Sequence, residues 1–288
     1  MPEGHTLFRL ARDLDAAFGG RAVRVSSPTG KFAADAAVLD GAVMTGAESA
    51  GKQLFCAFEG ERYIHIHLGL IGKFDITEGP AVPPVGQVRL RLTNDRAFAD
   101  LRGATVCELV GPAKREQVLA KLGPDPLRAD ADPERAWERI HRSHKPIGEL
   151  LMDQSVLAGV GNVYRAEVLF RHRMHPLRPG NTLRRKQFDA IWDDLVGLLA
   201  EGVRVGRIDT VHPEHTPEAM GRPPRVDDHG GEVYVYRRTG QPCLVCGSAV
   251  RTAELAGRNS FWCPSCQPRF RSRAGRSAST PARRGSSA

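Results

Sequence analysis

The stretch MDQSVLAGVGNVYRAEVLF, residues 152–170, sets two glycines one residue apart immediately before a run with helical periodicity. Gly159 and Gly161 let the backbone turn tightly and approach a partner closely, and Asn162 is expected to cap the helix that follows. A glycine turn that feeds a helix N-terminus directs N–H groups and positive dipole outward, which makes a seat for phosphate. The same residues also fit a plain capped helix hairpin. Arg171, Arg173, Arg178, Arg184, Arg185 and Lys186 follow closely, and this basic run favours contact with a nucleic-acid backbone, although part of it serves as a solvated helix face.

Periodicity changes twice on either side of this turn. Towards the N-terminus, Leu7, Leu10, Ala11, Leu14 and Phe18 form one helical stripe, with Thr6 placed to cap it and Gly19 to stop it. From Arg21 to Val110 short alternating segments take over, with Glu59-Gly60 and Asn94-Asp95 at the expected hairpin turns. Many short strands without intervening helices predict an antiparallel sandwich or barrel. Beyond a Pro-, Asp- and Ala-broken linker, helices are expected over 134–144, 147–152, 162–172 and 182–201. A mobile loop is expected over 212–231, then a short β segment, EVYVYRRTGQPC, from Glu232.

That segment leads into CLVCGSAVRTAELAGRNSFWCPSC. Cys243 and Cys246, then Cys263 and Cys266, form two Cys-x-x-Cys pairs sixteen residues apart. This spacing delivers four thiolates to one tetrahedral Zn²⁺ and leaves no open position for catalysis. A redox pair or disulfides fit the spacing less well, because intracellular thiols stay reduced. Cys56 and Cys107 fall in strand patterns and read as buried thiols.

The chain has 288 residues, enough for roughly two domains. With 41% hydrophobic and 26% charged residues it has the composition of a soluble globular protein. It has neither an apolar run of the ~20 residues a membrane span needs nor a secretion signal, so a cytoplasmic, nucleoid-associated location is expected. The net charge of +8 is concentrated at one end. Six of the 41 basic residues lie in the last twenty, leaving 35 against 33 acidic in the rest. Any nucleic-acid surface must therefore come from local clustering. The tail, 269–288, is expected to be disordered, either a solvated extension or an arm for phosphate or for replication or repair proteins.

The remaining motif is the start, MPEGHT. A small second residue permits removal of the initiator methionine, and the mature chain would then begin with the secondary amine of Pro2. Together with the glycine turn and the GRNSFWCPSCQ finger, this start resembles the formamidopyrimidine-DNA glycosylase and endonuclease VIII family, with the three signatures in family order. The PEGHT form is similar to the endonuclease VIII branch, which acts on oxidised pyrimidines. The purine branch begins PELPE.

The resemblance implies an α+β multidomain fold: an N-terminal antiparallel β-sandwich with flanking helices (1–111), a linker (112–132), a helix-two-turn-helix domain with a flexible loop (133–230) and a zinc-finger β-hairpin (231–268). It also implies a bifunctional DNA glycosylase and abasic-site lyase, acting as a monomer on damaged duplex, single-stranded or bubble DNA with one structural zinc. Pro2 would attack the sugar C1′, Glu3 would act as general acid and base, and Lys52 would contact phosphate and lesion. An α-amine titrates near pH 7.7–8.0, so about a tenth of it is an uncharged nucleophile at neutral pH. The iminium formed by a secondary amine has no N–H to lose, so it acts as an electron sink for β-elimination and then δ-elimination. Asn162, Gly161 and Arg258 would grip the DNA backbone, with Tyr164 and Glu167 near the site.

Two departures stand out. Thr6 occupies the place of the family's second early carboxylate. The intercalating segment reads DLRGAT, keeping Arg102 without its aromatic partner, and Leu70 holds the other wedge position. Weak filling of the void left by a flipped base predicts a preference for single-stranded or bubble substrates. An oxidised-purine enzyme of the same family and an inactive zinc-finger DNA-binding protein are the alternatives.

Overall fold

The computed structural model describes residues 2–227 and 231–270. The first helix, α1 (Gly4–Phe18), buries Leu7, Ala11, Leu14 and Phe18, as the stripe requires. It begins two residues earlier than Thr6, and the capping position is Glu3. Then come β1 (Arg21–Ala22), β2 (Arg24–Ser26), α2 (Ala33–Leu39), β3 (Val43–Ala50), β4 (Gln53–Phe58), β5 (Arg62–His67), β6 (Lys73–Glu78), β7 (Val88–Thr93), β8 (Ala97–Arg102) and β9 (Val106–Val110). They form two antiparallel sheets, ordered β1-β3-β4-β5-β9 and β2-β7-β8-β6, around one apolar core to which α1 contributes.

Both expected hairpins are present. Gly60 and Glu61 take positive φ in the β4–β5 turn. In the β7–β8 turn the Asn94 side-chain carbonyl accepts from the N–H groups of Arg96 and Ala97. Cys56 and Cys107 lie buried in β4 and β9, where burial pushes each thiol up to about 12.

The linker opens as a helix, α3 (Pro112–Leu119), none of whose residues is buried. With no apolar stripe, it left periodicity nothing to detect. The second lobe contains α4 (Pro133–His141), α5 (Ile147–Leu150), α6 (Asn162–Arg171), α7 (Arg185–Val205) and α8 (Pro217–Met220), then the hairpin β10 (Arg251–Leu255) and β11 (Arg258–Trp262). One core joins α4–α7 to the finger through Val250, Phe261 and Cys263.

Two expectations need correction. Residues 232–243 form no strand, because the N–H groups of Tyr234, Val235 and Tyr236 all donate to the Glu167 carboxylate instead of to a neighbouring strand. The expected mobile loop holds a 3-10 turn at Pro213–His215 and then α8, where Thr216 accepts from the Ala219 N–H. The part of that expectation covering 228–230 lies outside the described residues, as does the tail from 271 on. Of the tail, Arg269 and Phe270 are described, with Phe270 lying under the Arg178 guanidinium at 4.6 Å. Among the described residues no helix is long and apolar enough to cross a membrane.

Candidate active site

The chain's third and fourth residues meet its glycine turn. Glu3 is completely buried. Its carboxylate accepts from the N–H groups of Gly161 at 2.8 Å, Val163 at 2.8 Å and Tyr164 at 3.5 Å, and the Gly4 N–H donates to the Gly159 carbonyl at 2.8 Å. The amides read as a phosphate seat are therefore occupied by the protein's own carboxylate, and the Gly161 N–H is taken by Glu3. Only glycine fits there, since a Cβ at Gly161 would lie 2.3 Å from Glu3 Cδ. Burial pushes the Glu3 carboxyl above its ordinary range, while Lys52 and the three N–H groups pull it down.

Lys52 lies in the tight β3–β4 turn, and its Nζ donates to the Val160 carbonyl at 2.8 Å. Burial lowers its pKa, Glu3 opposes this, and Arg258 and Arg165 lower it further. Arg258 stands on β11. Asn162 is the first residue of α6, with Gly161 as the cap, which corrects the expected position. Its amide donates to the Asn259 carbonyl at 3.1 Å. Beneath it Arg165, 1% exposed, donates to the Asn162 side chain, to Asn259 O at 3.0 Å and to Gly148 O at 3.2 Å. Burial holds Arg165 down at about 10.

In front of Glu3, Pro2 lines a cleft of about 1070 Å³ together with His5, Thr6, Leu68, Leu70 and Ile71. Leu70 is 55% exposed and Ile71 81%. The other expected wedge residue, Arg102, is not among the residues that line this cleft. Arg102 is the last residue of β8, and its guanidinium is held by Asp100 at 2.8 Å, Asp75 at 3.3 Å and the Val85 carbonyl.

Two further corrections concern α6. Glu167 is fully buried, with its carboxylate taken by three backbone N–H groups and the Thr210 hydroxyl at 2.7 Å. Tyr164 is buried behind His5, its hydroxyl reaching the Leu198 carbonyl. Both brace the helix and neither faces the cleft, because inward positions on a short helix packed on all sides read the same as site positions.

The sequence reading missed His5, His67, Ile71 and Arg165. His67, on β5, donates from its Nδ1 to the Lys52 carbonyl at 2.9 Å, and the HIH pattern beside Leu70 was the available signal. For Arg165 no signal existed, since an arginine in a helix reads as solvated.

His5 gives a measurable pH dependence. Burial, then the positive amino terminus and Arg9, lowers it from 6.5 to about 4, while its ring packs edge-on against Tyr164. Because the folded value lies below the unfolded one, its contribution is complete above pH 6.5 and is lost as pH falls towards 4. Denaturant titrations of wild type and His5→Gln over that window should show the wild type losing up to about 3 kcal/mol more. Parallel curves would contradict this assignment.

Residues 1–107 match the formamidopyrimidine-DNA glycosylase N-terminal domain, 122–213 the H2TH domain of the same enzymes, and 240–269 a zinc finger found in FPG and IleRS. The chain is 52% identical over 271 residues to endonuclease 8 1 of Mycobacterium tuberculosis, covering 93% of this chain and all of that one. The chain belongs to the formamidopyrimidine-DNA glycosylase and endonuclease VIII family.

Other similar members include a probable endonuclease 8 2 of Streptomyces coelicolor, 32% identical over 93% of this chain and 94% of that one. A formamidopyrimidine-DNA glycosylase of Parasynechococcus marenigrum is 32% identical over 85% of this chain and 88% of its own. The fold is shared with the Lactococcus lactis Fpg in complex with DNA containing an abasic site, at a TM-score of 0.74, 23% identity, and coverage of 93% of this chain and 100% of that one. As a member of this family the protein is a DNA glycosylase with abasic-site lyase activity in base excision repair, and its partner is DNA.

The glycosylase also carries the family's single structural zinc. The Sγ atoms of Cys243, Cys246, Cys263 and Cys266 all lie within 4.8 Å of one another. Cys246 to Cys263 is 3.4 Å and Cys243 to Cys266 is 3.8 Å. Four thiolates at about 2.3 Å from one ion stand roughly 3.8 Å apart, so the donor set fits Zn²⁺. Such an ion would hold the ends of the hairpin that carries Arg258 and Asn259.

Proposed function

We propose that this glycosylase removes oxidised pyrimidines through a Schiff base on the amine of Pro2, followed by β-elimination and then δ-elimination, and that it favours single-stranded or bubble DNA. The observation that carries this reading is the placement of Pro2 at the cleft while its neighbour Glu3 is locked on the α6 amides. A terminus fixed at its third residue presents its amine in one place. Attack at C1′ expels the damaged base, and the permanently charged iminium acidifies the C2′ proton. Glu3, whose pKa burial raises, supplies the general acid and then the base.

Lys52, Arg165 and Arg258 are close enough to influence one another's charge, with Glu3 as the anion among them. That surplus of cations suits the phosphates around a flipped nucleotide, with Arg258 and Asn162 pinching the backbone. One chain supplies every group, consistent with a monomer.

Strand preference follows from the wedge. Leu70 and Ile71 fill space but offer no hydrogen bond to an opposite base, and Arg102 is tied to Asp100 and Asp75. The measurement is single-turnover excision of thymine glycol, dihydrouracil and 8-oxoguanine, each in single-stranded, bubble and duplex DNA. Pyrimidine lesions in open DNA should be cut about tenfold faster or more, the effect of ~1.4 kcal/mol in barrier. Faster cutting of 8-oxoguanine would favour the purine-directed alternative, and faster cutting of intact duplex would refute the strand preference.

A further inference from the structure

The wall of the cleft beside Pro2 contains a pair that the scheme above leaves unused. His5 and Thr6 follow Glu3 in the first turn of α1 and line the same cleft. His5 is 5% exposed and packs at 82° to Tyr164, with ring centroids 5.4 Å apart. Gly202 of α7 backs it so closely that a Cβ there would lie 3.0 Å from His5 Cγ. Nε2 stands 3.3 Å from the Thr6 hydroxyl. Nδ1 is buried without a hydrogen-bond partner.

These facts fix the direction of the His5–Thr6 contact. Burial keeps the imidazole neutral at physiological pH, so it bears a single N–H. An orphaned buried N–H is rarer and costlier than an idle lone pair. The hydrogen therefore sits on Nε2 and is donated to Thr6 Oγ, which turns the Thr6 hydroxyl hydrogen away from His5 and leaves it available to a group held in the cleft that Thr6 lines. The contact is long, as such bonds are before substrate closes a site.

We infer that Thr6 is a catalytic residue whose hydroxyl donates a hydrogen bond to the ring oxygen of the deoxyribose held at Pro2, and that His5 is a positioning residue that fixes the hydroxyl as a donor. This rests on the proposed attack by Pro2. As C1′–O4′ breaks, its electron pair stays on O4′, which takes its proton from Glu3 and a hydrogen bond from Thr6. Thr6 itself transfers no proton. A donor aimed at developing negative charge is worth about 10²-fold in rate.

The test is single-turnover cleavage and borohydride trapping of an abasic-site oligonucleotide at saturating enzyme, with affinity and melting temperature measured alongside. Thr6→Val should cut 30- to 100-fold more slowly at unchanged affinity, and Thr6→Ser should regain most of the rate. His5→Phe should share the Thr6→Val defect, His5→Gln, which keeps an N–H donor, should largely escape it, and Thr6→Val/His5→Phe should be no slower than either single variant. A Thr6→Val enzyme at the wild-type rate would overturn the inference while leaving the wild-type adduct intact. So would additive defects in the double variant, or a His5→Phe that loses only melting temperature. A wild type that forms no adduct would instead remove the Pro2 reading beneath it.

Discussion

A form of the enzyme that keeps even one residue in front of Pro2 loses borohydride trapping on an abasic oligonucleotide, and its turnover falls by on the order of 10³-fold or more, as happens when a covalent nucleophile is removed. Acylation turns the secondary amine into an amide, whose nitrogen lone pair is delocalised into the carbonyl and cannot attack C1′. The rest of the site stays in place. Glu3 keeps its bonds to Gly161 and Val163, and Lys52 its bond to Val160. Affinity for an abasic analogue should therefore change by no more than a few-fold. This split between binding and chemistry separates loss of the nucleophile from disruption of the terminus. Intact-mass measurement of the adduct, with the peptide mapped, provides the check. A wild-type yield from the extended form would move the nucleophile elsewhere, and Lys52, whose pKa burial lowers, would be the first candidate.

Removing the metal should weaken DNA binding by about 10²-fold or more. The hairpin β10–β11 has only two strands, too few to be stable alone, and a structural zinc contributes about 10–16 kcal/mol to holding such a module. The hairpin brings Arg258 to the site, and its Asn259 carbonyl accepts from Asn162 at 3.1 Å and from Arg165 at 3.0 Å. Without it Asn162 loses an anchor and Arg165 is left buried with fewer acceptors. Hydrogen bonds to charged groups are worth about 1.5–3 kcal/mol each, so two lost at the backbone account for the expected change. Cys263→Ser or chelation, with zinc content and affinity for an abasic analogue measured together, tests it. Full affinity in a metal-free preparation would show that the hairpin stands without the ion.

The features legible in the sequence share one property: each is written in residues close together along the chain. The cysteines of each pair are three positions apart and sixteen residues separate the two pairs, so their convergence needed only one hairpin. The stripe from Leu7 to Phe18 needs only helical spacing, and the Glu59-Gly60 and Asn94-Asp95 turns need only local dihedral preferences. The errors lie where acceptors compete for the same donors. The turn before α6 does present amides, as its glycines indicate, but the group that takes them comes from Glu3, which lies 158 residues from Gly161. Likewise EVYVYRR has the composition of a strand, yet Glu167 captures its N–H groups from 67 to 69 residues away. The Arg102 guanidinium, expected at the wedge, is held by Asp100 and Asp75 of its own sheet.

By itself, then, the sequence determined the two lobes and the zinc ligands, because helix periodicity, turn chemistry and ligand spacing are short-range, and the order of its three motifs was enough to indicate the family. Only the tertiary structure decided which carboxylate fills the helix N-terminus, which arginine is buried beneath Asn162 and which side chains stand beside Pro2 in the cleft. Those outcomes depend on which donor and acceptor are brought together across the junction of the two lobes, where a buried polar group must find a partner and several residues of the right type compete to be it.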